Sequence, residues 1–104
     1  MLPPRSDFEE SAVAESQEKV QEPPLFKVLL HNDDFTTMEF VVWVMESVFN
    51  MTEEQAIQIM LNVHLRGIGV AGIYTYEIAE TKVEKATSLA REQEFPLLVT
   101  MEQA

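Results

Sequence analysis

Between Phe26 and Met101 the chain offers only three short runs of strand-forming residues, at 26–31, 69–74 and 96–101. Three short strands cannot close a barrel, so any sheet they build must bury one face under helices. Asn32-Asp33-Asp34 ends the first run, because these residues favour turns. Thr36 with Glu39 three residues on reads as a capping box. Met38, Val41, Val42, Met45, Val48 and Phe49 then recur on one face, which predicts a helix over about 37–50. Thr52 with Gln55 is a second capping box, followed by a stripe of Ala56, Met60, Val63 and His64. Gly67 stands where a left-handed C-cap belongs. A third helix starts after Thr75, carries Glu77 in its first turn, and has Ile78, Val83, Ala86, Leu89 and Ala90 as its apolar side. Pro96 can open the last strand. The order is β-α-α-β-α-β. The economical architecture is a two-layer α+β domain with three helices packed on a small, mostly antiparallel three-stranded sheet.

The 104 residues suffice for one domain. Residues 1–25 hold Arg5 and Lys19 against six carboxylates, few large apolar side chains, and proline pairs at 3–4 and 23–24. That composition buries too little to offset the entropy of ordering, so 1–25 reads as a flexible acidic extension, with a transient helix over about 11–20, and 26–104 as the folded core. Seven Lys and Arg face 18 Asp and Glu, a formal net charge of −11. Such a chain repels phosphate backbones and anionic lipid, which argues against nucleic acid and membrane as partners. With no cysteine there is no disulfide, thiolate metal site or cysteine nucleophile. No signal peptide or apolar run of about 20 residues is visible, so the expected location is cytoplasmic.

Several constellations could carry chemistry, and each has a plainer reading. Asn32-Asp33-Asp34 could bind a cation or merely turn the chain and cap a helix. Its carboxylates make a thin metal site, because no loop shows calcium-binding spacing. His64 lies four residues after Met60 on one helix face, where a lone histidine is commonly a satisfied core residue; His31 shows no partner. Met38, Val41, Met60, Val63 and Leu97 could be core or an adaptable binding surface. Glu77, Lys82 and Lys85 read by default as a solvated face. Trp43 falls off the main apolar stripe of its helix and reads as half exposed or as a contact surface.

Taken together these stretches resemble the ClpS family of adaptors, which pass substrates of the bacterial N-degron pathway to the Clp AAA+ unfoldase and protease (ClpA-ClpP type). The resemblance runs from about 26 to 104 through Phe26-Lys27-Val28, the stretch from Asn32 to Val41, Met60-Leu61-Asn62-Val63-His64, Gly67, Gly72, Ala79-Glu80-Thr81-Lys82 and Pro96-Leu97-Leu98. It implies that Asn32, Asp33, Asp34 and His64 bind the free α-amino group of a substrate's first residue. It implies a side-chain pocket of Thr36, Met38, Val41, Met60, Val63 and Leu97 for Leu, Phe, Tyr or Trp, with Met38 gating against Ile and Val. It places contact with the unfoldase N-domain at Glu77 and Lys82, and gives the acidic extension to the unfoldase. The implied protein is not an enzyme and needs no cofactor or metal. Thr37 stands where the family commonly has proline, Phe35 where tyrosine is frequent, and Trp43 where a polar residue is expected.

The chemistry is coherent. An α-amino group with a pKa near 8 is mostly charged at neutral pH, and burying it needs partners for three N–H bonds. An aspartate oxygen, the Asn32 amide oxygen and a neutral His64 ring nitrogen can supply them, so acid should weaken binding. Which of Asp33 and Asp34 accepts directly stays open at this level. Two other classes fit the same size and acidity: a translation-factor-docking module similar to the ribosomal stalk C-terminal domain, which needs no amine pocket, and a small metal-dependent hydrolase using Asp33, Asp34 and His64.

Overall fold

A computed structural model describes residues 22–104. The expected extension 1–25 lies outside them except for its last four residues, and the expected helix over 11–20 lies wholly outside. The elements run β1 (Leu25–His31), α1 (Met38–Ser47), α2 (Glu53–Arg66), β2 (Ile68–Thr75), α3 (Tyr76–Glu92) and β3 (Leu98–Gln103). β1 is the central strand, antiparallel to both neighbours in the order β2-β1-β3. α2 and α3 lie directly on the strands, and α1 packs against α2. One core joins them, with Val28, Leu30, Val44, Met45, Ala56, Ala86 and Leu97 among its residues.

Local chemistry explains most boundaries. The Thr52 hydroxyl accepts from the Gln55 N–H while the Gln55 side chain accepts from the Thr52 N–H, so both halves of that capping box form. Gly67 ends α2 at φ 85°, a conformation that costs glycine little. The first helix departs from expectation. Thr37, not Thr36, is its N-cap: the Thr37 Oγ1 accepts from Phe40 N–H at 3.1 Å, while the Thr36 hydroxyl is already donating to Asp33. α1 also stops at Ser47, because the chain turns through Val48 and Phe49 to reach Asn50 at φ 55°.

Two features of β2 escape simple alternation. Val28 pairs with Gly72 but Leu29 with Val70, so Ala71 is an extra residue in a bulge. At Gly69 a Cβ would stand 2.7 Å from Val63 Cγ2, so α2 sits on the bare backbone of β2 there. On α3 the buried residues are Ala79, Ala86 and Ala90, small enough for close contact with the sheet, and the expected core residue Ile78 is exposed instead.

Candidate functional site

The site forms where β1 leaves the sheet. His31, its last residue, is paired on one side with Ile68 and on the other with Leu98. The next residue, Asn32, donates its N–H to the Gly67 carbonyl at 2.9 Å. That bond fixes the Asn32-Asp33-Asp34 turn beside the last turn of α2, where His64 projects into solvent. His31 is not part of this group; its Nε2 lies 2.7 Å from Thr100 Oγ1 across the sheet.

A hollow of about 460 Å³ opens at this corner. Asn32, Asp33, Asp34 and His64 line it together with Thr36, Met38, Val41, Met60 and Val63. Phe35, Thr37 and Glu39 complete the wall, three residues that sequence reasoning does not assign to it. Phe35 is 75% exposed, an aromatic ring standing on the rim. Thr37 and Glu39 join because the N-terminus of α1 faces the opening, which adjacency to Met38 could have signalled. Leu97 does not line the hollow: it is 1% exposed and belongs to the core.

The two aspartates are held differently. Asp33 Oδ1 accepts from the Phe35 N–H at 2.8 Å and the Thr36 N–H at 2.6 Å, and Oδ2 accepts from the Thr36 hydroxyl at 2.7 Å. Burial works against its charge, but these bonds and the positive field of Arg91 more than offset it, and the Asp33 pKa falls below its ordinary value. Arg91, which no sequence motif singles out, also donates to the Phe95 and Leu97 carbonyls at 2.7 and 3.2 Å. It ties the end of α3 to the start of β3 behind the turn. The Asp34 carboxylate is exposed and enters no hydrogen bond among the described residues. His64 is likewise exposed rather than a satisfied core residue.

Glu77 and Lys82 lie away from the hollow, on α3. Glu77 is exposed, but Lys82 is not part of a freely solvated face. Its ammonium donates to the Val48 carbonyl at 2.5 Å and sits 6.0 Å from the Phe49 ring centroid and 5.8 Å from that of Tyr74. It therefore closes the C-terminus of α1, whose last turn carries no cation of its own. Trp43 is half exposed with its ring 5.8 Å from that of Phe40. Among the described residues no three His, Cys, Asp or Glu side chains converge as a metal site, and no helix is long and apolar enough to cross a membrane.

Residues 21–100 match the family model described as ATP-dependent Clp protease adaptor protein ClpS. The chain belongs to the ClpS family. It is 49% identical over 100 residues to the ATP-dependent Clp protease adapter protein ClpS of Myxococcus xanthus, covering 94% of each chain. It is 57% identical over 90 residues to the ClpS adapter of Desulfatibacillum aliphaticivorans, covering 86% of each. Among solved structures it is similar to Agrobacterium tumefaciens ClpS2 bound to L-phenylalaninamide, with a TM-score of 0.77 and 42% identity over 80% of this chain and all of that one. The ClpS match covers the turn, both hollow-lining helices, β1, β2 and the first three residues of β3, and nothing supports the stalk-domain alternative.

Proposed function

We propose that this chain is a non-catalytic adaptor that binds the free α-amino group and large hydrophobic first residue of N-degron substrates and delivers them to a Clp AAA+ unfoldase and protease. The observation that carries this reading is the composition of one hollow, acceptors at one end and apolar side chains beside them. Asn32, Asp34 and His64 are the amine acceptors. Asp33 shapes the turn and adds negative field, since its oxygens are already engaged by Phe35 and Thr36. Met38, Val41, Met60 and Val63 enclose the first side chain of a Leu, Phe, Tyr or Trp substrate, with Thr36 at the mouth. The ligand of the Agrobacterium relative, L-phenylalaninamide, combines a free amine with one large apolar side chain, which supports the same division.

The energetics suit transient capture. Burying a Leu or Phe side chain contributes about 2–3 kcal/mol. Charge-assisted hydrogen bonds contribute about 1.5–3 kcal/mol each, and association costs offset much of the total. The balance corresponds to about micromolar affinity, weak enough to hand cargo onward. Met38 stands at the opening and gates against β-branched side chains. Exposed Glu77, with Lys82 beside it, docks on the unfoldase N-domain, and the acidic extension 1–25 is presented to the unfoldase. The test of delivery is degradation of a reporter by a Clp unfoldase–protease pair. A Phe-starting reporter should require the adaptor while the same reporter starting with Met should ignore it. Equal stimulation of both would contradict the proposal.

A further inference from the structure

Besides the amine-binding hollow, the outer seam of α1 and α2 holds a second one of about 400 Å³. The two share Met38, Glu39 and Met60, so the same side chains wall both. Trp43 and Ile57 supply the apolar lining of the second hollow, and Glu39 and Glu46 flank Trp43 one helical turn to either side. The Trp43 ring is half exposed and tilted against Phe40, which fixes its orientation. α1 contains no lysine or arginine, and no ion pair engages Glu39 or Glu46 among the described residues. An indole face between two carboxylates that have no ion-pair partner among the described residues is complementary to a long cationic side chain. The aliphatic stem lies along Ile57 and Met60, the charged head meets the ring, and the carboxylates neutralise it.

We infer that this groove is a second side-chain site, which takes Lys or Arg from the second or third residue of a bound chain. The inference rests on the proposed amine-binding function. A peptide advances about 3.3 Å per residue, so a chain anchored in one hollow brings its next side chains over the shared Met38 wall. Trp43 thereby becomes a specificity-determining residue, selecting among substrates by their second or third side chain.

Trp43 is the chain's single tryptophan, so its own emission reports the site. Peptides starting Phe-Ser-Ser, Phe-Arg-Ser and Phe-Ser-Arg would be titrated into the full chain, with affinity read by calorimetry and binding at Trp43 by fluorescence. Arg at one of the two positions should tighten binding about three- to tenfold over Phe-Ser-Ser and change Trp43 emission, which Phe-Ser-Ser should leave nearly unaltered. In Trp43→Ala and in Glu46→Gln the gain should fall below about twofold, with affinity for Phe-Ser-Ser kept. Glu92→Gln, equal in charge change but at the far end of α3, should keep the full gain. Thermal melting of each variant checks folding. If Phe-Ser-Ser does not bind the wild type, the parent function fails. If it binds but Arg gives no gain, or the gain survives Trp43→Ala or is lost equally in Glu92→Gln, the second site is overturned.

Discussion

At Asp33 three donors converge on one carboxylate, while its neighbour Asp34 meets none among the described residues. The two therefore fail differently when altered. Asp34→Asn should weaken a Phe-starting peptide at least about tenfold without shifting the melting temperature, since only a charge-assisted bond of about 1.5–3 kcal/mol is lost. Asp33→Ala frees two amides and a hydroxyl, and should cost about 1–2 kcal/mol of stability as well as binding. The Asp33 pKa is depressed in the fold, so its charge stabilises the native state above the unfolded pKa of about 3.9 and that contribution disappears as pH falls through the lower folded value. Acid melting curves of wild type and Asp33→Asn should separate as pH rises through about 4, and parallel curves over that range would contradict this role. Sequence identifies both aspartates but cannot divide their work, because the division depends on the Thr36 hydroxyl turning toward Asp33. Lys82 teaches a related lesson. Its ammonium closes α1, so Lys82→Met should destabilise the fold by about 1–2 kcal/mol, and loss of unfoldase docking in that variant would not isolate an interface. Glu77→Ala is the cleaner probe of docking, since Glu77 is exposed and, among the described residues, its side chain enters no hydrogen bond or ion pair, while its backbone carbonyl accepts from the Thr81 hydroxyl.

Among the elements, α2 is the most legible in the sequence and α1 the least. Thr52, Gln55 and Gly67 each act through their own local bonds, so pattern alone suffices. Thr36 and Thr37 are adjacent candidates for one cap, and only the loop geometry decides between them. The bulge at Ala71 is invisible to period-two reading, because it arises from pairing with β1. Gly69 matters for an equally non-local reason: it lets α2 approach β2 and so sets Val63 under the hollow. Gly69→Ala should force α2 outward, lowering stability by about 1–3 kcal/mol and peptide affinity together. Unchanged affinity in a folded Gly69→Ala protein would show that the hollow does not depend on this contact.

On the scale of the whole molecule, three strand ends, the start of α1 and the end of α2 meet at a single corner, and the central position of β1 makes this possible. Asn32 and His64 are distant in sequence, and the short bond from Asn32 to Gly67 closes that gap. The order β-α-α-β-α-β and the single layer of helices are legible from periodicity; the position of Leu97 is not, since an apolar residue opening a strand looks the same above or below the layer. The net charge of −11 should also speed capture of cationic termini, so the association rate should fall with added salt more than the dissociation rate rises. The amine cage itself is tested most directly by calorimetric titration with one Phe-starting peptide, free or acetylated at its N-terminus. The free peptide should bind with about micromolar affinity, and the acetylated one should show no measurable binding. Equal affinity of the two would contradict the account.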